Sequence, residues 1–508
     1  MSTVITGKHV GHERWLRFSE AAYWYFPALA LAAACGAAIA LGGTVKLVLA
    51  FGITAGLILF FAPVQPLIGV FVVLVFLVVG PIASIGGFKQ ATWIPYLFAL
   101  ILLVRAPIER YYTSRAPHQL YSSTSARSSP LMWVLACYFG LLTISTVVNA
   151  PPPLQVLVGA KMYVFIWGVF FLLVVSSISP QFLERIWKGV LLIAVLQLPF
   201  ALYQRLFVVP RRPDYPSVTA LDAIVGTLPG TETGGASGAL VMLCVFAIAL
   251  ALCLRKEKVL SAFSSQIAII AALVTIMLGE VKVVIVLLPV ALIVLKRREI
   301  VRRPLHFLGM AAIVVALAIG IFALNKAENK TFSQHFEASF GYVLDPNEVH
   351  AHGEVGRIAA LDIWYRDPRR TPQSFLLGYG PAASQYSSIA AGDVASRYFP
   401  YWTNATTAAA LLWDVGVLGL ASFLAIVVAA LYFATRLSGA AQVPLFHRGV
   451  LEACAVLFAL VGVSIPYNTD LLLTPQFQVL FLLALLQVVY WQSREGSNNV
   501  HAHVRGIS

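Results

Sequence analysis

Apolar runs recur along almost the whole chain, and their length is the strongest constraint on its fold. Each run has about 12 to 27 residues, close to the roughly 20 that a helix needs to cross a bilayer. The 508 residues are 59% hydrophobic and 11% charged, whereas soluble domains carry about 25% charged residues. The sequence therefore predicts an all-α, polytopic bundle of about 14 transmembrane helices with one large loop that contains short helices.

The predicted spans are apolar stretches bounded by charged or turn-forming residues. They cover residues 24–41, 45–61, 67–81, 91–104, 131–148, 161–175, 186–206, 236–254, 267–278, 282–295, 305–324, 408–434, 450–465 and 471–491. A long polar insert separates the last three spans from the others.

The distribution of cations predicts the orientation of the bundle. If the N-terminus is inside, 21 of the 35 Lys and Arg fall in the inner tails and loops. Short loops rich in Lys and Arg stay inside, while long loops are largely exempt from this rule. We therefore expect a cytoplasmic N-tail (residues 1–23), a bundle in two parts (24–324 and 408–491), an extracytoplasmic loop (325–407) and a cytoplasmic C-tail (492–508).

Charge, cysteine usage and the lack of repeats argue against several classes of protein. The net charge of +13 comes mostly from the inner segments, and no basic patch with its own soluble fold indicates nucleic-acid binding. All five cysteines lie in predicted spans without a Cys-x-x-Cys or Cys/His cluster, so neither disulfides nor structural zinc are expected. The two halves also lack the matching repeats of inverted-repeat transporters.

Three arginines near residue 210 lie on the outer side in this orientation. Arg205 is at the end of a predicted span, and Arg211 and Arg212 are flanked by Pro210 and Pro213, which stiffen the turn. Paired guanidinium groups suit phosphate oxygens because they offer a planar fork of donors. A simpler role also fits, in which arginines at helix ends reach toward lipid headgroups.

The sequence GEVK at residues 279–282 places a charged pair between two short apolar runs. Ionisable groups at membrane depth are costly and usually face a cavity or a partner. Glu280 and Lys282 are therefore candidates for a functional site. A Glu–Lys pair that only closes a tight interfacial turn explains them as well.

The long insert carries His350, His352, Glu354 and Arg357 within eight residues. Imidazole and carboxylate are ordinary zinc ligands, but His-x-His alone is a weak pattern that a solvated loop also fits, and we predict no metal site. The apolar residues of segment 357–365 recur at helical spacing. We therefore expect a short helix on the outer face of the bundle.

Several motifs occur in an order that is similar to a known group of membrane enzymes. Arg357 and Trp364 are followed by FLLGYGP at residues 375–381 and LLWDVGVLGL at residues 411–420. Earlier, DAIVGT at residues 222–227 precedes a Gly-rich entry to a helix. The chain resembles the superfamily of O-antigen ligases and Wzy-type polysaccharide polymerases, which are bacterial integral-membrane glycosyltransferases.

The resemblance covers roughly residues 197–491, with two departures. Members often carry a His-Asn pair before the Glu/Asp-x-Gly-x-x-Gly helix, whereas this chain has Ala405 and Thr406 there, and Asn404 is the nearest polar residue. Many members also have Ser-Arg where this chain has GEVK at residues 279–282. Both departures favour a divergent polymerase of a capsule or exopolysaccharide over a lipopolysaccharide ligase.

The resemblance implies transfer of a glycan from undecaprenyl diphosphate, or another polyprenyl diphosphate, to an acceptor sugar hydroxyl on the periplasmic face of the inner membrane. Its implied partners are this lipid-linked glycan, membrane lipid and other proteins of polysaccharide assembly and export. Because the sequence has no convincing ligand cluster and no phosphate-cradling glycine loop, we expect a metal-independent enzyme with no cofactor. The large loop would be catalytic.

Preorganised cations stabilise a leaving diphosphate, and a positioned base activates the hydroxyl. The candidate cations are Arg205, Arg211, Arg212, Lys282 and Arg357. The candidate bases are Glu280, Glu354, His350 and Asp222.

Three further interpretations stay open. An O-antigen ligase would use the same donor with a different acceptor. A transporter or flippase for a polyprenyl-linked or amphipathic substrate explains the outer cations equally well, but it leaves the large insert less well explained. Another type of polyprenyl-phosphate sugar transferase would usually carry an acidic motif in the first outer loop, where residues 42–44 have none.

The orientation predicts which loops an impermeant thiol reagent reaches from outside. In a variant without the native cysteines, Ser339→Cys and Ser388→Cys should be labelled in intact cells, because both positions lie in the outer insert. Ser125→Cys, in an inner loop, should be labelled only after the membrane is opened. Labelling of Ser125→Cys alone would reverse the orientation.

Overall fold

The computed structural model describes residues 56–84, 86–115, 129–211, 223–231, 234–279, 281, 283–305, 308–309, 312, 341–349, 353–387 and 389–505. The predicted spans at residues 24–41, 45–61 and 305–324 lie wholly or mainly outside these residues.

The described chain is almost entirely helical, and its elements follow one another in chain order. The N-terminal helices are α1 (Val64–Ser84, with a π turn at Leu74–Val78), α2 (Ile94–Arg115), α3 (Pro130–Asn149), α4 (Pro153–Tyr163), α5 (Gly168–Val175) and α6 (Pro180–Tyr203). Short 3-10 or π segments adjoin them at Lys89–Trp93, Phe165–Trp167, Gln204–Val208 and Val209–Arg211. A two-stranded antiparallel ribbon, β1 (Gly230–Thr231) and β2 (Gly234–Gly235), precedes α7 (Ser237–Lys256), α8 (Ala262–Gly279) and α9 (Val284–Arg302). The C-terminal helices are α10 (Arg357–Tyr365), α11 (Pro372–Leu377), α12 (Asp393–Arg397), α13 (Thr407–Asp414), α14 (Gly416–Leu437), α15 (Leu445–Ser464), α16 (Asp470–Leu473) and α17 (Pro475–Arg505).

Nine helices of the described residues are long and apolar enough to cross a membrane, and α4 with α5, bent by 42° at a short break, would make a tenth. The prediction of a helical membrane bundle is thus supported, but the described part of the chain does not reach the predicted number of spans. The helix α9 occupies the predicted span at 282–295, yet its C-terminal turns carry charges at residues 296–299.

Local sequence signals explain where several helices begin. Pro130, Pro153 and Pro180 lie at the first positions of α3, α4 and α6, where the missing N–H would have no helical partner. The hydroxyl of Thr406 accepts a hydrogen bond from the Ala409 N–H at 3.0 Å and so caps α13.

Buried glutamines satisfy backbone groups where helices are irregular. In the π turn of α1, the Val75 carbonyl accepts a hydrogen bond from Gln476 Nε2 at 2.7 Å. At the break between α4 and α5, Gln478 Nε2 donates to the Met162 carbonyl at 3.3 Å. Lipid offers no hydrogen bonds, so such backbone groups must find partners inside the protein.

Residues 223–230 form another irregular segment that packs among the helices. The side chain of Gln204 bonds both the N–H and the carbonyl of Gly226, each at 2.8 Å. Gln197 Oε1 accepts a hydrogen bond from the Thr227 N–H at 2.8 Å. Two residues on α6 and its π turn therefore fix the course of this segment.

Loop contacts define one end of the bundle, which we call the loop end because it carries residues 341–415. Ser145 Oγ, near the end of α3, donates to the Leu377 carbonyl at 2.6 Å. The Thr407 N–H donates to the Asn468 carbonyl, after α15, at 2.8 Å. The insert therefore closes over the ends of several helices.

The opposite end carries ion pairs between helix ends. Lys256 lies 2.9 Å from Glu452, and Arg436 lies 3.0 Å from Glu495. Both cations belong to segments that the sequence assigns to the inner side.

The carboxyl group of Asp414 fastens the insert to the bundle. It is fully buried, and Tyr163 of α4 donates its hydroxyl to Oδ2 at 2.8 Å. The N–H of Ala382 donates to Oδ2 at 2.9 Å, and the N–H of Ser384 donates to Oδ1 at 2.8 Å. One side chain thus joins the turn after α11, the end of α13 and the end of α4.

The predicted continuous span at 408–434 is wrong, because the chain breaks at Val415 between α13 and α14. Gly416 has φ 73° and Gly378 has φ 71°, and the two glycines bring separate segments into backbone contact. A Cβ on Gly378 would lie 2.5 Å from the Asp414 carbonyl carbon, and a Cβ on Gly416 would lie 2.4 Å from that of Leu376. Only α14 remains as a span.

This contact makes Gly378 intolerant of substitution. Gly378→Ala should lower the free energy of unfolding by more than about 2 kcal/mol, because alanine is strained at this φ and its Cβ overlaps backbone that cannot move away. Thermal unfolding in detergent measures the effect. Gly140→Ala, in α3 with open space at its Cβ, is the matched control and should be neutral or stabilising. Equal melting temperatures for both variants would contradict the packing.

Candidate active site

Arg357 begins α10 at the loop end, within the group of polar and aromatic residues that is defined below as the Arg357 crevice. Its Nη1 donates to the Ala405 carbonyl at 2.6 Å. The guanidinium carbon lies 4.9 Å from the ring centre of Tyr342 and 5.6 Å from that of Tyr467, within the range of cation–π attraction. Nε is buried and has no hydrogen-bond partner among the described residues. The side chain is therefore held in place while one donor stays unused.

Asp470, the first residue of α16, contributes a carboxyl group to the same crevice. Its Oδ2 accepts a hydrogen bond from Asn468 Nδ2 at 2.7 Å, and its Oδ1 accepts one from Thr474 Oγ1 at 3.0 Å. Oδ2 also lies 2.8 Å from the place that a Cβ on Gly238 would occupy. Gly238 is in the first turn of α7, where the helix dipole favours negative charge.

Asn468 connects this carboxyl group to the insert. Its carbonyl accepts hydrogen bonds from the N–H and the hydroxyl of Thr407 at 2.8 and 2.7 Å. Its Oδ1 accepts one from Ser464 Oγ at 2.8 Å. Because Thr407 follows Ala405 by two residues, the bonds that position Arg357 and those that position Asp470 meet at the start of α13.

Burial and neighbouring charges perturb the pKa values in the crevice. Burial raises the pKa of Asp470 from 3.8 to about 6, against the Thr474 hydroxyl and the Arg357 charge, which lower it. Burial also raises the pKa of Tyr342, while Arg357 lowers it and Glu354 raises it further. Carboxyl groups with a raised pKa and a specific charged neighbour are typical of functional sites.

We call the set of Tyr342, Glu354, Arg357, Tyr467 and Asp470 the Arg357 crevice. Two of the residues predicted from the sequence, Glu354 and Arg357, lie in it. Glu354 is partly buried just before α10 and acts electrostatically on Tyr342. The guanidinium of Arg357 supplies a positive charge in this set, and Asp470 supplies a carboxyl group that can take up a proton.

The predicted cations Arg205 and Arg211 lie in the irregular turns that extend α6, and not in the crevice residues defined above. Arg205 is partly buried and Arg211 is exposed. Their neighbour Gln204 binds residues 223–230, which lead into α7. Gln204 therefore ties the segment that precedes α7 to the turn that carries Arg205.

Five predicted site residues lie outside the described residues: Asp222, Arg212, Glu280, Lys282 and His350. The structure does bring sequence neighbours of two of them together. Ile224 packs against Gly279, with its Cγ2 3.9 Å from the place that a Cβ on Gly279 would occupy. Ile224 and the C-terminal residue of α8 are thus neighbours.

A second polar cluster holds the insert together but takes no part in the crevice. Asp367 accepts hydrogen bonds from the hydroxyls of Tyr379 at 2.6 Å and Tyr398 at 3.0 Å, and Arg397 Nη1 lies 3.4 Å away. Burial would raise the pKa of Asp367, but these hydrogen bonds, the Arg369 N–H and the Arg397 charge lower it overall. The cluster stabilises the charged carboxylate as a structural anchor.

Sequence reasoning missed Asp470, Asn468 and the two tyrosines of the crevice. A signal for Asp470 exists, because it is the only acidic residue in the short turn between the last two spans. A carboxylate at a membrane boundary carries the same free-energy cost of desolvation that made Glu280 a candidate in the sequence. The aromatic partners have no such signal, since the pairing of Tyr342 with Tyr467 depends on the fold.

No family model matches the chain, and no curated protein matches it. The resemblance to polysaccharide polymerases therefore depends on the motifs and their order. Within the described residues, no group of three or more His, Cys, Asp and Glu side chains is arranged to hold a metal ion; His350 and His352 are not among those residues.

The raised pKa of Asp470 predicts a pH dependence of stability. Folding favours the protonated form, so the folded protein should lose stability as the pH rises from about 4 through about 6. The Asp470→Asn variant lacks this loss. Its melting temperature should therefore rise relative to that of the wild type as the pH increases across that window. Arg357→Gln should extend this pH window to higher pH, because it removes a positive charge that lowers the pKa of Asp470.

The matched control is Asp345→Asn, since the Asp345 side chain is exposed in a turn. Its melting temperature should track that of the wild type at every pH. A constant offset between wild type and Asp470→Asn from pH 4 to 8 would contradict a perturbed Asp470.

Proposed function

We propose that this protein is a membrane glycosyltransferase of the polysaccharide-polymerase type, which transfers a polyprenyl-diphosphate-linked glycan to an acceptor sugar hydroxyl. The observation that carries the proposal is the Arg357 crevice. It joins a fixed guanidinium with an unused donor to a carboxyl group whose pKa is about 6, at the end of a membrane bundle where a lipid-linked substrate can arrive from the bilayer.

The crevice suits the two charges that such a transfer creates. The acceptor oxygen attacks the anomeric carbon of the donor, and the bond from that carbon to the diphosphate breaks. The leaving diphosphate takes the electron pair, and the nearby guanidinium stabilises its charge. The proton of the acceptor hydroxyl passes to a carboxylate, for which Asp470 and Glu354 are the described candidates.

The predicted cations outside the crevice fit a supporting role. Arg205 and Arg211 adjoin the segment that leads to α7, and a diphosphate extends over two phosphate groups. Arg212 and Lys282 complete the set that the sequence proposes for diphosphate binding, while Asp222, Glu280 and His350 remain further candidate bases. We place the reaction on the extracytoplasmic face of a bacterial inner membrane, with both termini in the cytoplasm.

The motifs behind the family resemblance support the proposal in an indirect way. The glycines at 378 and 416 and the carboxyl group of Asp414 act in packing, because they dock the insert onto the bundle. The order of the motifs therefore reflects how the insert docks onto the bundle, and it does not identify the reacting groups. Arg357 is the part of that order that enters the crevice.

The role of Arg357 predicts a graded loss of activity. With purified protein in vesicles and a polyprenyl-diphosphate oligosaccharide as donor, Arg357→Ala should reduce polymer formation about a hundredfold, and Arg357→Lys should be impaired less. Lysine keeps the charge but loses the planar fork of donors. The assay follows both glycan length and release of the carrier diphosphate.

Arg366→Ala is the matched control, because Arg366 follows α10, is 72% exposed and pairs only with Asp362 in the described residues. It should make polymer at the wild-type rate. Wild-type activity in a well-expressed Arg357→Ala variant would remove Arg357 from the site. Movement of intact donor across the vesicle membrane without a new glycosidic bond would favour a transporter instead.

A further inference from the structure

Four large aromatic side chains are exposed on two segments of the insert. Phe399 is 67% exposed, Tyr386 58%, Trp402 54% and Tyr401 44%. Exposed apolar patches mark interaction sites, and two of these rings, those of Tyr386 and Phe399, are in contact. We call these four residues the aromatic ridge.

Ring and amide contacts join the two segments that carry the ridge. The rings of Tyr386 and Phe399 lie 5.8 Å apart between their centres and are tilted by 34°. Two residues further along in chain order, the backbone of Tyr401 and Trp402 is fixed, because the Trp402 N–H donates to the Gly353 carbonyl at 2.8 Å. Hydrogen bonds therefore fix the backbone of this part of the ridge.

Neutral amide side chains accompany the rings. Asn404 Nδ2 donates to Gln385 Oε1 at 2.7 Å, and both side chains are partly exposed. The ridge also leads into the crevice, because Trp402 precedes by three residues the Ala405 whose carbonyl holds Arg357. A ligand that lies along the ridge would thus have one end close to the guanidinium.

The composition of the ridge distinguishes between a sugar chain and a lipid surface. Residues 385–392 and 399–406 contain no Asp, Glu, Lys or Arg. Segments that lie on a membrane usually pair aromatic residues with Lys or Arg for the anionic headgroups. Sugar rings instead offer apolar C–H faces to aromatic rings and hydroxyl groups to amides, and the ridge supplies both partners without a net charge.

We propose that the aromatic ridge binds the acceptor glycan, as an extended chain of uncharged sugars whose growing end reaches the Arg357 crevice. This inference rests on the proposed function, because it assigns the acceptor to a surface beside the same site. An open ridge with four rings contacts several sugars at once, so it should bind a longer acceptor more tightly than a short one.

Binding of free glycan tests this without any need for transfer. The probe is a set of carrier-free oligosaccharides of defined length, released by mild acid from the lipid-linked glycans of the cells that make the protein. Calorimetry with full-length protein in nanodiscs should give an affinity that rises with length. Phe399→Ala and Trp402→Ala should each weaken binding of the long oligosaccharide about tenfold.

Tyr365→Ala is the matched control, because Tyr365 is a 63% exposed aromatic residue at the end of α10 and outside the ridge. It should bind the long oligosaccharide as the wild type does. Wild-type affinity in both ridge variants, or no binding by the wild type at all, would overturn the proposal. So would quenching of the Trp402 fluorescence by brominated lipid, measured as the difference from Trp402→Phe, because the ridge would then lie in the membrane.

The two proposals fail separately. If glycan binding depends on the ridge but the protein makes no polymer, the proposal for the ridge stands and the proposed enzyme activity is rejected. If the wild-type protein makes polymer but the ridge variants bind glycan normally, the proposed enzyme activity stands and the proposal for the ridge is rejected.

Discussion

The buried carboxyl group of Asp414 is the interaction on which the loop end depends. It accepts hydrogen bonds from a membrane helix through Tyr163 and from two backbone N–H groups of the insert. A buried donor that loses its partner costs about 1–3 kcal/mol, and three donors share this one acceptor group. The insert is therefore fixed to the bundle by a few directional bonds as well as by apolar packing.

The geometry of the candidate active site follows from this docking. With the turn after α11 seated on Asp414, α13 starts beside Asn468, and the Ala405 carbonyl comes within reach of Arg357. Asn468 also holds Asp470 against the first turn of α7. Cation and carboxyl group thus come from distant parts of the chain, and both are positioned by the same junction.

Much of the fold could be predicted from the sequence, because membrane helices are specified by the length of their apolar runs. The short helix from Arg357 to Tyr365 was also readable from its periodicity. The break at Gly416 was not, because an apolar run continues through it and only the contact with residue 376 requires the kink. Arg357 and Glu354 could be proposed as charged residues of the outer insert, whereas Asp470 became visible only when the helix ends were brought together.

The Asp414 junction also explains why motifs can mislead about chemistry. The sequence LLGYGP at 376–381 and the glycines after Asp414 have a clear spacing, but their role is to let two backbones approach. The groups suited to chemistry have weaker patterns, since a single arginine and a single aspartate need only be in the right place.

Hydrogen–deuterium exchange of the peptide covering residues 376–387 tests the junction most directly. Asp414→Leu has a similar volume but no acceptor, so the N–H groups of Ala382 and Ser384 lose their partner. We predict that this peptide exchanges at least about tenfold faster than in wild-type protein, with peptides from α15 and α17 unchanged. Wild-type exchange in a folded Asp414→Leu variant would contradict the account, because the insert would then be docked without the carboxyl group.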